Sequence, residues 1–107
     1  MQTIGTIVLL EDPLISNLVR AILRRQGYDA VPMHVAQGLQ MVRSGEARLV
    51  ITNDPEPFLE VAGDIRLIYM AGSHDSDLAA RFPRRRLIRK PFHPSELGDA
   101  VAELAAL

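Results

Sequence analysis

The sequence predicts an α/β fold: a doubly wound sheet of five parallel strands in a three-layer sandwich with a shortened third helix. Short apolar runs alternate five times with segments of helical periodicity, and no repeat or linker interrupts them. The length of 107 residues suits one domain, and 48% apolar with 23% charged residues is typical of globular chains. We therefore expect residues 1–107 to form a single domain.

The first strand and the first helix have the clearest signals. Thr6 to Leu10 is a compact apolar run, typical of a strand buried on both faces. Asp12 and Pro13 follow as a capping carboxylate and a proline at the first helical position, which predicts a helix start. Gly27 is placed to end this helix. The apolar stripe between them has helical spacing and comprises Leu14, Ile15, Leu18, Val19, Ile22 and Leu23.

The second strand, predicted at Tyr28 to Met33, contains Pro32, which lacks an amide donor and therefore places the strand at a sheet edge. Residues 53–64 separate the third and fourth strands, which is near the minimum for a parallel crossover, so its helix is about one turn. The remaining predicted elements are a weaker helix at Val35 to Val42, strands at Leu49 to Thr52, Ile65 to Met70 and Leu87 to Arg89, a helix at Asp75 to Phe82, and a last helix from Ser95.

Polar or small residues follow four of the predicted strands. In a doubly wound sheet, ligands bind beyond the carboxyl ends of the strands, where the strand order reverses. We therefore expect these positions to converge in space although they are distant in sequence. They are Glu11-Asp12, Asn53-Asp54, Ala71-Gly72 and Lys90-Pro91. The plainer interpretation is that such carboxylates are helix caps.

This arrangement resembles the receiver domain of two-component response regulators over essentially the whole chain. Glu11 and Asp12 match the acidic pair after the family's first strand, and Lys90-Pro91-Phe92 matches its lysine motif. The resemblance implies a flavodoxin-like, receiver-like fold and a cytoplasmic signalling role in a phosphorelay. Its expected partners are a histidine kinase, an effector domain or a second copy of the chain.

Three positions depart from the family's pattern. Asn53 falls where the resemblance places the phosphoacceptor aspartate, Ala71 on the hydroxyl position, and Leu87 where an aromatic switch residue is common. An amide is neutral and a poor nucleophile, so Asn53 cannot form an ordinary acyl phosphate. We therefore expect a degenerate receiver that acts through protein contacts and is not an enzyme.

The same departures bear on metal binding. Mg²⁺ prefers oxygen ligands, commonly one or two carboxylates with waters, and Glu11 and Asp12 can supply these. Without a third negative charge at Asn53 the binding should be weak or lost, so no cofactor is required and Mg²⁺ remains possible. Lys90 would then neutralise one of the two carboxylates.

An alternative hypothesis keeps the phosphorylation switch, with Asp54 as acceptor in a shifted loop and Mg²⁺ at Glu11 and Asp12. Continued strand geometry would point Asp54 away from the pocket that Asn53 faces, and Pro55 favours such an extended backbone. A bulge would reverse this choice. Ser73 or Ser76 would then replace the hydroxyl missing at Ala71.

A basic run, Arg84-Arg85-Arg86 with Arg89, lies on the loop into the predicted fifth strand. It is either a solvated loop or, by the resemblance, part of a partner-binding face. Direct nucleic-acid binding is disfavoured by a net charge of −1 and an aromatic content of 5%.

Other classes of function have weaker signals. Ser73, His74 and Asp75 have the residue types of a hydrolase triad, but triads are assembled from distant positions. No glycine-rich phosphate loop follows the first strand. The chain has no cysteine, no signal peptide and no apolar run near the roughly 18 residues of a membrane span, so we expect a cytoplasmic domain.

Overall fold

The structure, a computed structural model, describes residues 4–72 and 77–107. It contains one five-stranded sheet with the strand order β2-β1-β3-β4-β5, in which every neighbouring pair is parallel. The predicted doubly wound α/β sandwich is therefore confirmed, and β2 lies at the edge, as Pro32 required. The strands are β1 (Thr6–Leu10), β2 (Asp29–Pro32), β3 (Ala47–Thr52), β4 (Arg66–Ala71) and β5 (Arg85–Arg89).

Helices cover both faces of the sheet and divide the core in two. One apolar cluster, with Leu9 and Leu23, lies between the sheet and the helices α1 and α3. The other, with Val8, Phe58 and Phe82, lies under α2 and two short 3₁₀ helices. The helices are α1 (Pro13–Arg25), α2 (Val35–Arg43), a first 3₁₀ helix (Glu56–Val61), a second 3₁₀ helix (Asp77–Arg81) and α3 (Pro94–Ala105).

The ends of α1 follow the local sequence signals. Asp12 Oδ1 accepts a hydrogen bond from the Ile15 amide at 3.1 Å, and Pro13 is the first helical residue. After the helix, Gly27 has φ +88°, and its amide and that of the next residue donate to the carbonyls of Arg24 and Leu23. This is the αL helix stop that glycine favours. The predicted start and end of the first helix are both confirmed.

The 3₁₀ helices shorten one side of the sandwich. The crossover between β3 and β4 contains only the six-residue first 3₁₀ helix, as its length predicted. Asp77–Arg81 is also 3₁₀, where the sequence predicted a helix over Asp75 to Phe82 whose first two residues lie outside the described part. Ser73, His74 and Asp75, weighed and disfavoured as a hydrolase triad, and the alternative hydroxyls Ser73 and Ser76 also lie outside it.

Two strands begin earlier than predicted. Arg85 and Arg86 belong to β5, paired with Leu67 and Ile68 of β4, rather than to a loop. Hydrogen bonding to the buried strand β4 holds this charged segment in an extended conformation. Its backbone joins the sheet, and its side chains project alternately to the two faces. β3 begins at Ala47 instead of Leu49.

No helix in residues 4–72 and 77–107 is long and apolar enough to cross a membrane.

Candidate functional site

The four predicted strand ends converge at the carboxyl edge of the sheet. The amide of Asn53 donates to the carbonyl of Leu10 at 3.2 Å, which joins the loops after β3 and β1. The amide of Lys90 donates to the carbonyl of Ala71 at 3.0 Å, which joins the loops after β5 and β4. The parallel register therefore assembles one polar site from segments that are distant in sequence.

Glu11 is the centre of this site. Its side chain is fully buried, and its Oε1 accepts hydrogen bonds from Asn53 Nδ2 at 2.9 Å and from the Asp12 amide at 3.0 Å. Its Oε2 lies 2.5 Å from Lys90 Nζ in an ion pair and has no hydrogen bond within the described residues. We call Glu11, Asn53 and Lys90 the carboxylate network. A buried carboxylate is costly unless it is paired and hydrogen-bonded, and this network meets both requirements.

The Asp12 side chain caps the helix α1 and makes no contact with the Glu11 carboxylate in the described hydrogen bonds. Its Oδ1 caps α1, and the residue is exposed. The hydroxyl of Ser16, which is buried, donates to the main-chain carbonyl of Glu11 at 3.1 Å and fixes the start of this loop. Glu11 and Asp12 are therefore adjacent in sequence, but their carboxylates have different partners.

Asn53 and Asp54 also diverge, although β3 ends at Thr52 and both residues line one cavity. Asp54 Oδ1 accepts a hydrogen bond at 3.1 Å from the amide of Glu56, the first residue of the first 3₁₀ helix. The buried hydroxyl of Thr52 donates to the Asp54 carbonyl at 3.1 Å and accepts from its amide at 3.0 Å. The Asp54 carboxylate is therefore held toward Glu56, whereas the Asn53 amide is directed to Glu11.

Lys90 and Ala71 complete the site on the side of β4 and β5. The Lys90–Pro91 peptide is cis, and the Lys90 side chain is 24% exposed. Ala71 is fully buried and has a methyl group where a hydroxyl would be needed to donate to a ligand. Lys90 is thus the cation of the site, and its charge is already opposed by Glu11.

A cavity of about 440 Å³ opens beside the carboxylate network. Besides the acidic residues it is lined by Met33 and His34, from the loop between β2 and α2. Neither residue was predicted from sequence to belong to the site, nor was Thr52. Their positions after β2 and at the end of β3 could have indicated them, because residues at every strand end on this edge contribute to the site.

The donor set does not fit the divalent cation that the fold implies. Glu11 is buried and neutralised by Lys90, Asp12 caps a helix, and Asn53 presents its Nδ2 donor to Glu11. Within the described residues no group of three or more histidine and acidic side chains is placed to hold a metal ion. In this arrangement a cation would have to displace Lys90 before it could use Glu11.

The basic run divides between the two faces of β5. Ile88 packs beneath α3 in the first apolar cluster, and on the same face Arg86 Nη1 forms an ion pair with Glu103 Oε2 at 2.8 Å. Because side chains alternate along a strand, Arg85 and Arg89 lie on the opposite face. Arg84 precedes the strand.

That opposite face of β5 is partly open. Leu87 is 48% exposed, and with Arg85 and Tyr69 it lines a cavity of about 520 Å³ beside the second 3₁₀ helix. Arg84 is turned away from it, since its Nη2 donates to the carbonyl of Gly63 at 2.7 Å. The arginines of the predicted partner-binding face therefore have different surroundings, since Arg85 and Arg86 line this cavity and Arg84 contacts Gly63.

Solved structures with this fold support the assignment of the architecture. A response regulator receiver domain protein from Clostridium thermocellum is 17% identical, with a TM-score of 0.77 over 95% of this chain and 94% of that one. A response regulator receiver protein from Sinorhizobium medicae WSM419 is 18% identical, with a TM-score of 0.74 over 98% and 96%. SdrG from Sphingomonas melonis Fr1 is 25% identical, with a TM-score of 0.69 over 97% and 98%.

The sequence itself matches no protein-family model and no curated protein. The structural likeness nevertheless extends over nearly the whole of this chain and of the receiver proteins. The chain therefore has the flavodoxin-like fold of response regulator receiver domains, as the residue pattern predicted.

Proposed function

We propose that the chain is a receiver-like signalling module that is not phosphorylated at Asn53 and acts through protein contacts rather than catalysis. The observation that carries this proposal is the carboxylate network. Glu11 already accepts a hydrogen bond from Asn53 and forms an ion pair with Lys90. The carboxylate that would meet a cation and the lysine that would meet a phosphoryl group are thus engaged with each other. No cofactor is needed for this role.

The missing nucleophile supports the same proposal. Phosphoryl transfer to a receiver requires an anionic acceptor in line with the donor and a cation that offsets the developing charge. Asn53 supplies neither charge nor nucleophile, and the buried methyl group of Ala71 cannot donate to a phosphoryl oxygen. We infer that a partner protein binds the domain without a preceding phosphorylation step.

The open face of β5 is the surface we propose for a protein partner, whether kinase, effector or second copy. Exposed Leu87 lies between Arg85 and Arg89 on one side of the strand, beside the cavity at the second 3₁₀ helix. An apolar anchor flanked by cations suits a partner segment with an apolar residue between acidic ones. Sedimentation of the wild type and of Leu87→Glu would test the self-dimer, since a wild-type dimer should dissociate in the variant.

A second candidate function, phosphorylation of Asp54, is favoured by one observation: Asp54 lines the same cavity as Asn53 and Glu11. In this case the Asp54 carboxylate would have to leave the amide of Glu56. We propose this only as the alternative, because the Asp54 carboxylate accepts a hydrogen bond from Glu56 while Lys90 contacts Glu11.

Intact-mass spectrometry after incubation with acetyl phosphate and Mg²⁺ distinguishes the two. The wild type and Asp54→Asn should both keep their mass. The Asn53→Asp variant is the matched test of the site, because it restores an acceptor of the same size. Addition of one phosphoryl group to the wild type that is lost in Asp54→Asn would overturn the proposal and establish the alternative.

A further inference from the structure

A second charged cluster lies at the amino edge of the sheet, opposite the carboxylate network. A cavity of about 530 Å³ opens there between the end of α2 and the starts of β3, β4 and β5. Four arginines line it, Arg43, Arg48, Arg66 and Arg84, together with one carboxylate, Asp64. Four cations and one carboxylate thus give this concave surface an excess of positive charge in a chain whose net charge is −1.

Three of these arginines have no Asp or Glu side chain as a partner among the described residues. Arg43 is paired with Glu60 at 3.3 Å. Arg66 and Arg84 donate to main-chain oxygens, of Leu107 and Gly63 respectively. No hydrogen bond or ion pair within residues 4–72 and 77–107 involves the guanidinium of Arg48. We call Arg48, Arg66 and Arg84 the arginine cluster.

Arg66 is the most constrained member. Its Nε is buried and has no hydrogen-bond partner within the described residues. Partial burial, and then the positive charges of Arg84 and Arg48, lower the pKa of Arg66 from its ordinary value. The three guanidinium groups are thus close enough to repel one another, and an anion between them would relieve that repulsion.

A β-bulge positions Arg48. Thr6 of β1 pairs with Ala47, but the next residue, Ile7, pairs with Leu49. Arg48 is therefore an extra residue in β3 with no partner in β1. Bulges redirect a side chain without breaking the sheet, and here the redirected side chain lines the arginine cavity.

We propose that the arginine cluster binds a small phosphate-bearing anion in the cavity at the amino edge of the sheet. Guanidinium groups are planar forks whose paired N–H donors match the oxygens of a phosphate group, so three of them can hold a ligand with two such groups. The cavity volume lies in the range of small-ligand sites. The site uses no residue of the carboxylate network, so it stands independently of the proposed signalling role.

Pyrophosphate is the probe we would use, in calorimetric titrations of the full chain at fixed ionic strength. Arg48→Gln is the informative variant, because this guanidinium has no described partner to lose. We expect its affinity for pyrophosphate to fall about tenfold or more, as for removal of one charge-assisted hydrogen bond. Arg20→Gln is the matched control: Arg20 lines another cavity, of about 410 Å³ with Arg24, and its loss should leave affinity unchanged.

The possible outcomes separate the proposal from ordinary charge attraction. Equal weakening in Arg48→Gln and Arg20→Gln, or no saturable binding by the wild type, would overturn it. Citrate in place of pyrophosphate tests the phosphate chemistry, and binding of equal strength would overturn that assignment. An RNA oligonucleotide that binds more tightly than pyrophosphate, with the same dependence on Arg48, would replace the small ligand by a macromolecule and contradict the proposal.

Discussion

The carboxyl and amino edges of the sheet hold their charged side chains in different ways. At the carboxyl edge the fully buried side chain of Glu11 accepts a hydrogen bond from Asn53 at Oε1 and forms an ion pair with Lys90 at Oε2. At the amino edge Arg48 has no described partner, and Arg66 has a buried Nε without a hydrogen bond. One edge neutralises its own charge, whereas the other retains an excess of positive charge.

This difference bears on what each edge can bind. A ligand at the carboxyl edge must first break the Glu11–Lys90 ion pair. Its binding is therefore weakened by the free energy needed to break that ion pair. Within the described residues no Asp or Glu side chain pairs with the three clustered arginines, so we expect an anion bound there to displace no such pair and to relieve their mutual repulsion. We therefore expect the edge that resembles a phosphorylation site to be the less receptive one in this chain.

The largest expected effect is on folding stability when Lys90 is changed to Met. The variant leaves the buried Glu11 carboxylate without its cation, and we expect the free energy of unfolding to fall by about 2–3 kcal/mol, somewhat below the value for a fully buried pair because Lys90 is partly exposed. Urea denaturation at neutral pH measures it. The double variant Glu11→Gln with Lys90→Met should recover part of the loss, and simple addition of the two single effects would contradict the network.

The Asn53→Asp variant should be destabilised without metal by about 1–2 kcal/mol, since it removes the donor to Glu11 Oε1 and places a like charge beside it. Added Mg²⁺ should restore stability in this variant more than in the wild type, because a third negative charge then favours the cation. Thermal denaturation with and without Mg²⁺ measures both effects. Asp54→Asn is the matched control, and an equal response there would show that position 53 has no special role.

A smaller effect separates capping from metal binding at Asp12. Asp12→Ala should lower the free energy of unfolding by about 1 kcal/mol through loss of the cap on α1, whereas Asp12→Asn should cost almost nothing because asparagine caps equally well. Chemical denaturation of the two variants is sufficient. A large loss in Asp12→Asn would mean that its charge, rather than the cap, stabilises this edge.

The smallest expected effects differ in sign between paired and unpaired arginines. Arg86→Gln loses the exposed ion pair with Glu103 and should be destabilised by about 0.5 kcal/mol. Arg48→Gln removes a charge from a repulsive cluster, so we expect its stability in low salt to equal or slightly exceed that of the wild type. Parallel thermal melts over a range of salt concentrations measure the pair. Destabilisation of Arg48→Gln in low salt would argue against the repulsion.

Much of the carboxyl edge could be predicted from sequence because strand ends determine it. Once the five strands are parallel, Glu11, Asn53 and Lys90 must approach one another, and a pairing of Lys90 with a neighbouring carboxylate was expected from their charges. Which carboxylate it pairs with depends on side-chain directions. Asp12 caps its helix instead, as the Asp12-Pro13 pair predicted.

The amino edge could not be predicted in the same way. Arg48, Arg66 and Arg84 are distant from one another in sequence, and a one-residue shift in the pairing of β1 with β3 gives Arg48 its place. Such a register depends on how side chains pack on both faces of the sheet, so it cannot be predicted from the sequence pattern of one strand. The basic run was misplaced for a related reason, since pairing with β4 extends Arg85 and Arg86 into a strand.

The most direct test of the closed carboxyl edge is an amide NMR titration of the wild type with Mg²⁺ and then beryllofluoride, a mimic of the phosphoryl group. We predict no saturable shift at Glu11, Asn53 or Lys90 at either step, because the carboxylate network occupies the groups that would bind them. Asn53→Asp provides the comparison in which a response is expected. A saturable, domain-wide change in the wild type would contradict the account and make Asp54 the acceptor.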